Sequence, residues 1–249
     1  MVALTLVLPL LTAGQGAVRL RYQPLLNHPY RYRMVQSMKM EMGAMGSQGY
    51  TSSMDIDIKA VSRKGDLTTL ETRMSNAKIK APAGGPMAAA IPNMEKRMNS
   101  MKPVRMTMDS FGNPKGMSGS VGTMGFQGIR FPNHPIRVGQ TWGTSIDFSQ
   151  LPGMGAASAM KMGGKIPMKF RLLSLGHSGK SAKIEVSSTG TMTMNMNGQK
   201  INTVMNSKGT MTLEVATGMT TDSQMTMDSV TAFSGQTMKN HTSLTMKLK

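Results

Sequence analysis

The sequence predicts a mainly β protein: an antiparallel curved sheet or half-barrel built from two meander halves, with one or two short helices. Three observations lead there. Methionine, 30 of 249 residues, recurs at every second position in Met38, Met40 and Met42, in Met192, Met194 and Met196, and in Met225 and Met227. A period of two sets side chains on one face of a strand. Glycine and proline, 27 and 12 residues, punctuate the chain at short intervals, as turns between many strands require. Two strings also recur in the same order. Asn27-His28-Pro29-Tyr30-Arg31 matches Asn133-His134-Pro135-Ile136-Arg137 at four of five positions, and Met106-Thr107-Met108-Asp109-Ser110 reappears at Met225–Ser229.

The elements follow in chain order. Val2–Leu11 is an apolar run followed by Ala13, Gly14, Gly16 and Ala17, the pattern of a signal peptide over residues 1–17. It is too short for a transmembrane helix, and no later segment is long and apolar enough to span a bilayer. The first half, 18–117, opens with a strand in which Tyr32, Met34, Gln36, Met38, Met40 and Met42 share one face. Met54, Ile56, Ile58 and Ala60 then alternate with Asp55, Asp57 and Lys59, and Lys64-Gly65-Asp66 turns into a third strand, Leu67–Ile79. Ile91, Met94, Met98 and Met101 recur at helical spacing, so a short amphipathic helix near 93–100 is expected to cover the open sheet face.

A strand at Val104–Asp109 ends in a Gly112-Asn113-Pro114 turn. A glycine-rich linker, 118–130, follows without clear period, and the second half, 131–249, begins near Phe131. Gln150–Lys165 reads as a loop. Strands are expected at Met168–Leu175, Ala182–Met196, Ile201–Ser207, Gly209–Ala216, Gln224–Ala232 and Thr242–Leu248, with Asn197-Gly198 as a hairpin turn.

Composition narrows the function. Aromatics are 4% of the chain, so methionine, flexible and adaptable, supplies the missing bulk. The absence of cysteine excludes disulfides, thiolate metal sites, cysteine nucleophiles and a lipidated cysteine anchor. A net charge of +17 favours anionic partners, such as an envelope surface. The basic residues alternate with apolar ones, as on the solvent face of a sheet, and they lack the interleaved aromatics of a nucleic-acid surface, so nucleic acid is not an expected partner.

No catalytic set assembles. Ser174–Ser181 resembles a phosphate loop, but a strand follows it where a helix is required, and it reads as a hairpin turn. Gly153-Met154-Gly155 is an incomplete dinucleotide fingerprint. His28, His134, His177 and His241 have no metal-ligand spacing. Asp55 and Asp57 share a strand face, which suits cation binding or acid–base work, or simply pairing with Arg or Lys across the sheet. No cofactor is expected.

Methionine admits two binding readings. Thioethers are soft ligands for Cu(I) or Ag(I), and Met192, Met194 and Met196 would supply three, with Met38, Met40 and Met42 opposite. Alternatively, a methionine face forms a soft groove for lipid or another apolar or amphipathic ligand, and then an open cavity lined by methionine and β-branched residues is expected. A third reading is a structural or adhesive module for anionic surfaces.

Pro135-Ile136-Arg137-Val138-Gly139-Gln140-Thr141-Trp142 resembles the Pro-x-x-Val-Gly-x-x-Trp element of a family of exported bacterial β-rich proteins, catalogued only as a domain of unknown function. Gly209–Gly218 is similar to a second feature of that family, a strand ending in Thr-Gly. The resemblance implies export to the periplasm or beyond, and brings no activity and no site residues. By looser analogy of fold, such chains resemble lipoprotein-carrier half-barrels, in which a curved sheet cups an apolar ligand.

Overall fold

The computed structural model describes residues 16–41, 43, 46–82, 88–118, 129–147, 160–196, 199–233 and 236–249. Residues 1–15 of the expected signal segment, most of the expected linker and the Asn197-Gly198 turn lie outside the described residues.

The strands are β1 (Pro29–Glu41), β2 (Ser47–Lys64), β3 (Leu67–Lys80), β4 (Val104–Met108), β5 (Pro114–Ser118), β6 (Thr141–Asp147), β7 (Met160–Gly163), β8 (Lys165–Gly176), β9 (Ser181–Met196), β10 (Gln199–Glu214), β11 (Thr220–Phe233) and β12 (Gln236–Leu248). They form one antiparallel sheet in the order β5-β4-β3-β2-β1-β12-β11-β10-β9-β8-β6. β7 adds no row of its own. It pairs with β9 in the register of β8, Gly163 facing Thr193 as Met168 faces Ser188. Two meander arms therefore meet at one seam, where β1 pairs with β12 from Tyr32–Leu248 to Glu41–Lys239.

Alternation sets the two faces. On β2, Met54, Ile56, Ile58 and Ala60 are buried, whereas Asp55, Asp57 and Lys59 turn outward. On β9, Ala182, Ile184 and Val186 are buried between exposed Lys183 and Glu185. Leu70 and Met108 from one arm join Phe170 and Ile184 from the other in a single buried cluster, so the open sheet curls around its apolar face.

The base of this half-barrel is closed by a strap that precedes β1. Val18 pairs with Ile136, the Tyr22 N–H donates to Ser110 O at 2.7 Å, Gln23 N–H to Thr217 O at 2.9 Å, and Asn27 N–H to Ala60 O at 2.8 Å. The strap thus touches both arms while satisfying its own backbone, as a buried segment must. Leu20 and Tyr22 point into the core, and Tyr22 stacks on Phe131 with ring centroids 4.6 Å apart. Two glycines with positive φ make room for it. A Cβ on Gly112 (φ +84°) would stand 2.5 Å from Ile129 O and 2.7 Å from the Tyr22 ring. A Cβ on Gly218 (φ +68°) would collide with the Arg21 carbonyl.

Five sequence expectations need correction. The helix, α1 (Ile91–Asn99), lies against β3 and acts chiefly on its edge. Past the irregularity near Asn76, β3 has no β4 partner; the Asn99 side chain accepts Ala77 N–H at 2.8 Å and donates to Ala77 O at 3.2 Å, while Glu95 accepts Ile79 N–H at 2.6 Å. Polar helix side chains thereby stand in for a neighbouring strand. Pro114–Ser118, partly read as linker, pairs with β4. Ile129, at the end of that linker, is a buried core residue. Met160–Gly163, read as loop, is β7. The two strands expected at 201–207 and 209–216 are one, β10, because Gly209 lets the backbone of Gln224 and Met225 approach where a side chain would block it.

Gly218→Ala should destabilise the fold by about 2 kcal/mol or more in denaturant unfolding, from φ strain and collision with the strap. Gly116→Ala, on β5 with open space at its Cβ and no positive φ, should stay within about 0.5 kcal/mol of the parent.

Candidate functional site: a methionine-lined cavity

Inside the curl lies a cavity of about 200 Å³. Its walls come from the strap, from β1 to β4 and from β8 to β12, so it exists only because the arms curl toward each other. Eight of its lining residues are methionines, among them Met34, Met106, Met168, Met211, Met225 and Met246. These six are half-buried, whereas Met108 and Met219 are closed off.

The sheet register explains the convergence. One transverse row reads Met54, Met34, Met246, Ser223, Met211 across β2, β1, β12, β11 and β10. Directly opposed side chains on neighbouring strands lie about 5 Å apart at Cβ. Four thioethers flanking one small serine leave a hollow beside that serine. The next row reads Trp142, Phe170, Val186, Gly209, Met225 and Leu244, and the Met225 side chain fills the place beside Gly209.

Aromatic and polar groups are few and localised. Tyr22, Tyr32 and Phe170 line the cavity. Phe170 is held by Trp142, stacked at 5.4 Å, whose Nε1–H donates to Arg130 O at 2.9 Å. Burial pushes the Tyr22 and Tyr32 hydroxyls well above the usual phenol range. Both are neutral at physiological pH, and no Asp, Glu, Lys, Arg or His is among the lining residues.

Of the alternating methionines singled out in the sequence, Met106, Met108 and Met225 line this wall, whereas the two runs weighed as soft-metal ligands do not. Met38 and Met40 lie half-buried on β1, and Met192 and Met194 half-buried on β9. β12, β11 and β10 intervene, which is four row steps or roughly 19 Å along the sheet. Met42 and the Met196 side chain lie outside the described residues. The cavity methionines share the same alternation as those runs. What sequence reasoning missed is which stretch of each strand faces the other arm.

The remaining candidates have structural partners. Arg33 bonds Asp55 at 3.1 Å, Lys249 reaches it at 2.8 Å and Asn76 at 2.9 Å. Asp57 meets Arg31 at 3.5 Å. The pairing alternative for these acids therefore holds. His28 and His134 are exposed, and His28 packs edge-on against Tyr30. His241 meets Asp228 across β11 and β12 at 2.6 Å. Ser174–Ser181 is the β8–β9 hairpin with a one-turn 3-10 segment at His177–Gly179. Among the described residues no group of three or more His, Asp or Glu could hold a metal ion. The Pro135–Trp142 element fastens the base: Ile136 pairs with Val18, Gly139 N–H donates to Leu172 O at 2.7 Å, and Trp142 holds Phe170.

No family model matches the chain, and no curated protein matches it. Among solved structures, the β domain of the Bordetella autotransporter BrkA is similar over 89% of this chain and 99% of that one, at 9% identity and a TM-score of 0.43. DynF from the dynemicin biosynthesis pathway of Micromonospora chersina matches over 100% of this chain and 93% of that one, at 9% identity and a TM-score of 0.27. Neither score establishes a shared fold.

The Asp55 cluster ties β1, β2, β3 and the C-terminal Lys249 together, so it sets an acid limit on stability. Hydrogen bonds from Lys249, Asn76 and Arg33, with the nearby Lys249 charge, hold the Asp55 carboxyl well below its usual range. A lowered folded-state pKa stabilises above the unfolded pKa, near 4, and that contribution fades as pH falls toward the folded value. Asp55→Asn should therefore be less stable than the parent at pH 7, and thermal unfolding of the two should converge as pH drops below about 4.

Proposed function

We propose that this chain is an exported, non-enzymatic binding protein that holds an apolar or amphipathic ligand in its half-barrel and is drawn to anionic envelope surfaces by its charge. The cavity carries this reading. It offers about 200 Å³ of partly open, mainly apolar space, and a ligand seated there removes apolar wall surface from water. Methionine walls adapt to its shape. The size limits what enters. An apolar cavity of about 150 Å³ accepts benzene, so this one accepts a small ring or a short stretch of alkyl chain, with the rest of any larger amphiphile outside.

The two faces support a protein that works in water. A membrane-spanning barrel carries an apolar band on its outside. Here Arg31, Arg33, Lys39, Asp55 and Asp57 occupy outer positions of β1 and β2, beside the exposed Val35, while Tyr32, Met54, Ile56 and Ile58 turn inward. Of the described residues, no helix is long and apolar enough to cross a membrane. The surplus of basic residues, 29 against 12 acids, supports attraction to anionic surfaces. The apolar run Val2–Leu11 supports export.

Toluene is a suitable probe. It should bind the parent with a Kd on the order of 0.1–1 mM and raise the unfolding temperature in step with its concentration. Ser223→Leu pushes an isobutyl group into the hollow of the methionine row and should abolish toluene binding while leaving a cooperatively folded protein. Absence of toluene binding to the parent, or unchanged binding to Ser223→Leu, rejects the cavity as the binding site.

A further inference from the structure

We propose that the hollow above Ser223 is a soft-metal site, in which the thioethers of Met211, Met225 and Met246 hold one monovalent copper or silver ion. Such a site needs the cavity but not the apolar ligand, and so goes beyond the binding reading above.

Ser223 is a small residue on the inner face of β11. Met246 stands directly opposite it on β12, and Met211 directly opposite it on β10. Met225 follows two residues later on the same face of β11. Its sulfur leans toward β10, 2.5 Å from where a Cβ on Gly209 would stand, and Gly209 shares a face of β10 with Met211. Cβ atoms of opposed residues lie about 5 Å apart. Each sulfur sits two bonds beyond its Cβ on a rotatable stem, so thioethers from three neighbouring strands can converge over the serine. All three methionines are half-buried and line the cavity, which gives a mobile ion access to them. Met34, opposite Met246 on β1, adds a fourth thioether to the lining.

The surroundings select a soft cation over a hard one. Thioether sulfur suits Cu(I) and Ag(I), whereas magnesium, calcium and manganese seek carboxylate, carbonyl and water. No carboxylate or imidazole lines the cavity, and the hydroxyls of Thr72, Thr220 and Ser223 are neutral, hard oxygens. No Lys or Arg lines it either, so an entering cation meets no like charge in the wall. The Glu214 carboxylate acts on the Tyr32 hydroxyl at the cavity wall, and its field there favours positive charge. Register thus moves soft-metal chemistry away from the sequence runs. Met38–Met40 and Met192–Met194 are four rows apart, whereas Met211, Met225 and Met246 belong to three adjacent strands.

Silver nitrate in chloride-free buffer is the probe, followed by calorimetry and by the NMR signals of the methionine methyl groups. The first equivalent should shift Met211, Met225 and Met246 before Met38, Met40, Met192 or Met194, and should compete with toluene. A triple variant, Met211→Leu with Met225→Leu and Met246→Leu, keeps the volume of the wall. It should weaken the first equivalent about a hundredfold, no less than loss of an outer partner costs a metal site. Met38→Leu with Met192→Leu should leave it within about twofold. Absence of silver binding to the parent, first shifts at the Met38 or Met192 runs, or unchanged affinity in the triple variant overturns the metal site. A parent that binds toluene but not silver keeps the apolar ligand and loses the metal; one that binds silver but not toluene does the reverse. Cooperative thermal unfolding shows that the triple variant is folded.

Discussion

An open sheet of eleven rows has one apolar face and two free ends, and the strap before β1 closes that face at its base. Without it, Phe131, Tyr32 and Ile136 would face water where the arms diverge, and the carbonyls of Ser110, Thr217 and Ala60 would lose their donors. The strap is fixed by backbone hydrogen bonds at Val18, Tyr22, Gln23 and Asn27 to four separate segments, while Leu20 and Tyr22 fill the core between the arms. Its path also explains Gly112 and Gly218, which sit where a Cβ would meet the chain passing through. The seam of β1 with β12 serves a related end, since it joins the chain's first and last strands and brings the two arms into one sheet.

Methionine has two roles in this frame. On β2 it is ordinary core, as the burial of Met54 shows. Around the cavity it is a half-buried wall whose long unbranched side chains leave space instead of locking it. A chain with only 4% aromatics builds its rigid contacts from few pairs, Tyr22 with Phe131 and Trp142 with Phe170. Rigid aromatic contacts and the soft methionine wall thus meet at the cavity, which Tyr22 and Phe170 also line. Outside, acids are spent on cross-strand partners: Arg31 with Asp57, Arg33 with Asp55 and Arg105 with Glu71 stand directly opposite in register. The unmatched lysines and arginines remain as the basic surface.

Local signals read well wherever the alternation was clean. Asp55 and Asp57 against Met54, Ile56 and Ile58 announced both the strand and its faces. They failed where a glycine or proline stood inside a strand. Gly209 looked like a break and is a close approach, and Pro114 looked like part of a turn and Ser118 like linker, yet both belong to β5. The helix was legible from its apolar spacing. Its use of Asn99 and Glu95 to pair with β3 was not, because a hydrogen bond to another element leaves no local pattern. The repeated strings occupy different rows, Met106–Ser110 at the end of β4 and Met225–Ser229 within β11, which their identity in sequence could not reveal.

By itself, then, the sequence determined a charged outer face and a methionine-rich inner face, because a period of two is a property of the extended chain. It also determined where most turns lie, since glycine and asparagine are needed where φ is positive. Only the tertiary structure decided which methionines meet. Met34, Met211 and Met246 converge through register across β1, β10 and β12, while Met38–Met40 and Met192–Met194 stay four rows apart. Register and curl come from contacts between residues distant in the chain, and a cavity is a shortfall in those contacts. Neither is written in any single strand.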